Sequence, residues 1–157
     1  TSIQKLAALA TPFRKDGTVT AGNASGVNDG AAAVVVASEE GIKRNHLNPM
    51  ARIISAASSG VEPAYMGIGP VPASLKALKI AGLTIEDMDI IEINEAFAAQ
   101  GLASLRSLGV NDNDERVNPN GGAIALGHPL GMSGTRLVLT AAHELIEQNK
   151  KYALCTM

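Results

Sequence analysis

The chain is poor in several residues that narrow its chemistry. It has one cysteine, Cys155, in 157 residues, so no internal disulfide can form. A lone cysteine also fits a reducing compartment such as the cytoplasm. Tryptophan is absent and aromatics make up only 3%. With 46% of residues apolar, the core is then expected to be aliphatic. There is no run of about eighteen apolar residues, so no membrane-spanning helix is predicted. A net charge of −2 gives no basic footprint for nucleic acid or an acidic membrane. Cys-x-x-Cys, His-Glu-x-x-His, Gly-x-Ser-x-Gly and Walker-type runs are all missing, which leaves metal, serine-hydrolase and P-loop chemistry without an anchor.

What is present is concentrated in one stretch, Asn118 through Gly134. It carries Gly121, Gly122, Gly127, Gly131 and Gly134 and one of only three histidines, His128. Glycines let the backbone adopt φ > 0 or approach another group closely. Pro129 suits the opening of a helix, and Leu130, Gly134, Leu137, Ala141 and Leu145 then keep a 3.6-residue period. The spacing predicts a helix from Pro129 to Gln148 with His128 on the loop that opens it, where a titratable imidazole can meet a ligand. The same residues also fit a glycine-rich turn with an incidental histidine. His46 and His143 read as an exposed loop residue and a helix-surface residue.

Residues 1–30 are rich in turn signals, and Thr20 through Gly30 fits either a functional loop or a plain connector. Ala31 to Ala37 is a continuous, valine-rich apolar run, which predicts a strand buried on both faces. Ser38 reads as the N-cap of a short helix with Glu39 and Glu40 in its first turn, ending near Asn45. Ala51 to Ser59 predicts a second strand. The prolines and glycines from Val61 to Pro70 predict a loop, in which Met66 is either a core plug or an apolar wall for a ligand. A helix follows over Pro72 to Ala81, with Leu75 and Leu78 on one face and Gly82 closing it. Met88 to Ile93 predicts a third strand running through Asn94 and Glu95 into a helix with Leu102, Leu105 and Leu108 buried. Asn94 either caps that helix or serves a ligand at the carboxyl end of the strand. A last strand begins at Tyr152. Strands alternating with helices predict a layered α/β fold with a mixed, mostly parallel sheet packed between helices.

Three runs, taken in order, resemble the thiolase family: Gly22-Asn23-Ala24-Ser25-Gly26-Val27-Asn28-Asp29-Gly30, Asn94-Glu95-Ala96-Phe97-Ala98, and Asn118 through Gly134. The resemblance covers essentially the whole chain and fits the C-terminal half of such enzymes. It implies residues 1–157 as a thiolase C-terminal domain, with 1–20 a lead-in from an N-terminal half. It also implies acyl transfer: thiolytic cleavage of a 3-oxoacyl-CoA, or the reverse condensation. His128 matches the family's catalytic histidine, which deprotonates a cysteine and helps bind a thioester oxygen. Asn94 matches the asparagine that holds a water in the same oxyanion site. Ser25 and Ala21 match positions touching the pantetheine arm of coenzyme A. Met66 and Phe97 match apolar positions along the acyl and pantetheine channel. No cofactor or metal is implied, coenzyme A being a substrate, and the full-length enzyme is expected to be a homo-oligomer.

Cys155 does not match either catalytic cysteine of the family and reads as a buried structural thiol. The chain starts without methionine and stops inside an apolar run, so it is expected to be a fragment, catalytically dead alone. It is also expected to expose an apolar face that leaves it associating or marginal in solution. A non-catalytic CoA- or acyl-binding module would use the same Ser25 and Met66. A ketoacyl-synthase-type condensing enzyme would instead need a second motif histidine.

Overall fold

The computed structural model describes residues 1–157. Helix α1, Ile3–Ala7, is opened by Ser2, whose hydroxyl accepts from the Lys5 amide. Helix α2, Glu39–Asn45, starts as the sequence predicts: Ser38 Oγ accepts from the Gly41 amide, and Glu39 and Glu40 sit at the positive end of the helix dipole. His46 closes it in the left-handed conformation, at φ 51°. A 3-10 segment, Pro63–Ile68, leads into α3, Pro70–Ala81, which Gly82 ends at φ 68°. Strand β1, Ile90–Ile93, is followed by α4, Ala98–Ser107. A single turn, α5, Ala123–Leu126, precedes the long α6, Leu130–Glu147, and strand β2, Ala153–Thr156, comes last.

The two strands pair in parallel, Ile90 with Ala153 through Ile93 with Thr156. Residues Arg116 to Asn118 lie along the other edge of β1: Ile91 N donates to Arg116 O and Asn118 N to Ile91 O. Side chains alternate across the sheet. Ile91, Ile93 and Leu154 join Leu78 of α3 and Leu105 and Leu108 of α4 in one aliphatic cluster. The alternate face meets α6, where Leu137 and Ala141 are buried and Arg136 lies 3.5 Å from Glu92. Each fully buried isoleucine of β1 contributes roughly 2–3 kcal/mol of apolar transfer. The result is an α/β fold whose small parallel sheet is packed between helices.

Two predicted strands do not form. Residues 31–37 and 51–59 carry no regular secondary structure and make no backbone–backbone hydrogen bond. Their apolar side chains face outward: Val35 is 90% exposed and Ile53 68%. Their composition suits a doubly buried strand, but a strand also needs a partner edge, and none lies within reach. Segment 51–59 is tied to α3 only by side chains, Ser55 Oγ to Ala77 O and Lys76 Nζ to Ser58 O.

Smaller corrections concern helix faces. On α3, Pro70, Ser74 and Leu78 point inward at i, i+4 spacing, and Leu75 is half exposed. The inward face includes a hydroxyl because Ser74 Oγ donates to Thr156 Oγ1 at 3.0 Å. On α6 the buried face begins at Ser133, and Leu130 is exposed. Phe97, not Asn94, occupies the N-cap position of α4.

Candidate functional site

β1 delivers Asn94 to the end of the sheet, where its amide extends the ladder by donating to Thr156 O at 3.0 Å. The residue is 5% exposed, and its side-chain Oδ1 is buried without a partner. Its Nδ2 lies 3.4 Å from Nε2 of His128, thirty-four residues further along. The carboxamide and the imidazole, read from the sequence as the two candidates, therefore stand side by side.

The loop carrying His128 is shaped by glycine and by distant chain. Gly127 sits at φ 104°, a conformation costly for any side chain, and a Cβ there would also collide with Asn28. The His128 amide is shared between Gly26 O at 3.3 Å and Asn28 Oδ1 at 3.1 Å. Gly30 packs against Pro129 so closely that a methyl there would overlap the proline ring. Beside His128, Asn28 to Ala32 and Pro129 to Met132 line an open cleft of about 430 Å³.

The neighbours of the imidazole favour one tautomer. Nδ1 lies 2.6 Å from Ser133 Oγ, and Ser133 Oγ donates to Pro129 O at 3.0 Å. A hydroxyl has one proton to give. With that proton on the Pro129 carbonyl, Ser133 must accept from Nδ1–H. Nε2 then carries a lone pair, suited to receive the Asn94 Nδ2–H and to act as a base.

The other sequence-predicted residues are placed unequally. Ser25 and Phe97 converge near the exit of β1. The Ser25 amide and hydroxyl both donate to Ala96 O, at 3.0 and 3.2 Å, and Phe97 bridges Ala24. The Phe97 ring meets Phe13 edge-on at 6.0 Å. Ala21 is exposed in a turn held by Asn23, whose Oδ1 accepts from the Thr20 amide. Met66 is 76% exposed on the 3-10 segment, which overturns the core reading and leaves its thioether facing solvent. His46 and His143 are both exposed, as expected.

Four residues beside the pair were given no role by sequence reasoning: Asn28, Glu95, Asn118 and Ser133. Ser133 is five residues after His128, in the first turn of α6, and that offset was the available signal. Asn118 adopts φ 45° and pairs with both backbone groups of Ile93, accepting from its N–H at 2.8 Å and donating to its C=O at 3.0 Å. Glu95 receives Asn118 Nδ2 at 2.9 Å and the Ile124 amide at 3.1 Å.

On the α6 face of the sheet lies a second buried polar group. Glu92 is fully buried, and neither of its oxygens makes a hydrogen bond. Burial, only partly offset by Arg136, pushes its carboxyl up to about 7. Cys155 stands opposite Glu92 across the strand pair, and burial together with that carboxylate pushes its thiol up to about 12. Such a thiol stays protonated and is a poor nucleophile at neutral pH.

Comparison with known proteins decides the family. Residues 47–157 match the model described as thiolase, C-terminal domain, and residues 1–40 match that of thiolase, N-terminal domain. The chain belongs to the thiolase family. The lead-in expected over 1–20 falls inside the second match. Over its full length the chain is 61% identical to a 3-oxoadipyl-CoA/3-oxo-5,6-dehydrosuberyl-CoA thiolase of Escherichia coli, of which it covers 39%. It is 54% identical over 154 residues to an acetyl-CoA acetyltransferase of Syntrophomonas wolfei. Among solved structures, human mitochondrial 3-ketoacyl-CoA thiolase in complex with CoA matches at a TM-score of 0.94 and 53% identity, covering 99% of this chain and 40% of that one. The chain thus spans about two fifths of the length of these thiolases. No helix of this thiolase chain is long and apolar enough to cross a membrane.

Proposed function

We propose that the chain supplies the histidine–asparagine part of a thiolase acyl-transfer site, acting on CoA thioesters of 3-oxoacids. The observation that carries this reading is the contact between Asn94 Nδ2 and His128 Nε2, with Nδ1 held by Ser133. In the proposed reaction the Nε2 lone pair takes the proton of a cysteine thiol that lies outside this chain. The resulting thiolate attacks the 3-oxo carbon of the substrate and the bond between C2 and C3 breaks, leaving an acyl-cysteine and the enolate of acetyl-CoA. The imidazolium Nε2–H then donates to the thioester oxygen as charge develops there. Asn94 supports the same oxygen through a water on its free Oδ1. Fixed donors of this kind typically contribute about 100- to 1,000-fold in rate. Protonation of the enolate and transfer of the acyl group to coenzyme A complete thiolysis; the reverse sequence is the Claisen condensation.

Ser25, Ala21 and Phe97 are read as contacts of the pantetheine and acyl arm, and exposed Met66 as a flexible apolar wall of that channel. Residues 47–157 serve as the C-terminal domain, and the partner that completes the site is the rest of an N-terminal half. The assembled enzyme is read as a homo-oligomer of the cytoplasm, or of the mitochondrion or peroxisome in a eukaryote. Names of relatives such as 3-oxoadipyl-CoA thiolase and acetyl-CoA acetyltransferase support a CoA thioester without choosing among acyl chains.

The test has two arms. Acetyl-CoA titrated into the chain is expected to shift the Asn94 carboxamide and His128 ring resonances, and His128→Ala or Asn94→Ala is expected to weaken binding at least about tenfold. Shifts confined to other residues would overturn the site. In the second arm, the chain incubated with acetoacetyl-CoA and CoA is expected to show no loss of enolate absorbance beyond a buffer blank. Its only thiol, Cys155, is held protonated. Turnover there would favour a different nucleophile. A CoA-binding module without catalysis is the second reading; it predicts binding unaffected by His128→Ala.

A further inference from the structure

Glu95 has no part in the chemistry just described, yet it is among the most constrained carboxylates in the fold. Oε1 accepts from Asn118 Nδ2 at 2.9 Å, and Oε2 accepts from the amide of Ile124, in the first turn of α5, at 3.1 Å. A methyl group at Gly122 would overlap its carboxyl carbon and both oxygens. Asn118, in turn, is bonded to the N–H and C=O of Ile93 and is held in a left-handed conformation. The residue between Ile93 and Glu95 is Asn94. The residue reached from α5 through Gly127 is His128.

Glu95 and Asn118 thus tie both chain neighbours of Asn94 to the loop that carries His128. An ordinary helix cap needs only one hydrogen bond. Here both oxygens are engaged, on two separate segments, and a glycine is required to make room. We propose that Glu95 is a positioning residue which, with Asn118 and Gly122, sets the separation of Asn94 from His128. The proposal rests on the reading that those two residues bind a thioester oxygen together, since a bond between rigid segments is useful there only if their spacing matters.

The chemistry makes the test specific. Glu95→Gln keeps the shape but turns one acceptor into an N–H₂ donor, which must face either the Ile124 amide or the Asn118 carboxamide. One hydrogen bond is lost. Gly122→Ala keeps every hydrogen-bonding group and displaces the carboxylate by bulk alone. Asn94 is followed by its side-chain amide resonance and His128 by long-range ¹H–¹⁵N spectra of its ring. Both variants are expected to move both signals and to weaken acetyl-CoA binding about tenfold. Leu78→Ala, a core truncation on the α3 side, is expected to lower stability without moving either signal. Because the methyl at 122 harms only through the carboxylate, Glu95→Ala combined with Gly122→Ala should match Glu95→Ala alone.

If Glu95→Gln and Gly122→Ala both leave the Asn94 and His128 signals at their wild-type positions, the proposal is wrong. Should Glu95→Gln fail to fold, Gly122→Ala alone decides it by the same signals. A wild-type chain whose two signals ignore acetyl-CoA would instead sink the reading of the site, while the response to these variants still reports the clamp.

Discussion

Glu92 stands directly across the parallel strand pair from Cys155, and Arg136 of α6 lies 3.5 Å from its carboxylate. The guanidinium makes no hydrogen bond to close that approach, so desolvation outweighs attraction. The carboxyl, raised from 4.5 to about 7, is held protonated in the folded chain across a range where the unfolded chain has released its proton.

Stability should therefore fall as pH rises from about 4.5 to 7, because the folded state binds more protons than the unfolded one in that window. The slope from this group can reach about 1.4 kcal/mol per pH unit. Asp87, Asp89, Asp112 and Asp114 have lowered values and act in the opposite sense, but only as pH drops through and below 3.8. Urea unfolding at a series of pH values is expected to place the maximum on the mildly acidic side, and Glu92→Gln is expected to flatten the decline. A free energy that climbs steadily from pH 5 to 7 would contradict this.

Cys155 gives a second prediction. Iodoacetamide at pH 8 should leave it unmodified in the native chain and alkylate it quantitatively in urea, as read by intact mass. Cys155 is only partly buried, so rapid native labelling would mean that its thiol is not held protonated beside Glu92.

A third concerns the imidazole. Ser133→Ala removes the acceptor of Nδ1–H and the donor to Pro129 O. The ring should change from a single Nδ1–H tautomer to a mixture, seen in its ¹⁵N shifts, at a stability cost of about 1 kcal/mol. Ring shifts identical to wild type would show that Ser133 does not set the tautomer.

The site was more legible in the sequence than the sheet. Asn94 and His128 lie in runs whose residue types serve a local purpose, a strand exit and a glycine-bounded loop, and both purposes are met. The helices were legible where their ends carry chemistry, as at Ser38 and Gly82. Residues 31–37 and 51–59 read as strands and are not, because apolar composition signals burial and says nothing of which edge will provide it. The roles of Glu95, Asn118 and Ser133 were hidden for a related reason. Glu95 and Asn118 bond partners more than twenty residues away, and the Ser133 contact with His128 is a side-chain bond; neither leaves a periodic trace.

Those exposed runs support a fourth prediction. Val34 to Val36, Ile53 and Ile54 offer exposed apolar side chains and backbone groups without backbone partners. The chain is expected to bind ANS and to scatter light above its monomer mass, and Val35→Lys with Ile53→Lys should reduce both. A monodisperse monomer without ANS fluorescence would count against an exposed apolar surface on these runs.

The bond from Asn28 to the His128 amide spans a hundred positions of chain. Closing so long a loop costs about 2 kcal/mol more in entropy than closing one of ten residues. The β1–α6–β2 nucleus needs no such closure across the first third of the polypeptide, so it can condense first. The His128 amide gains its two acceptors, Gly26 O and Asn28 Oδ1, only when residues 26–30 arrive. Late docking of residues 26–30 is the expected consequence, and a ligand that bridges them to the His128 loop is expected to stabilise the folded state by mass action.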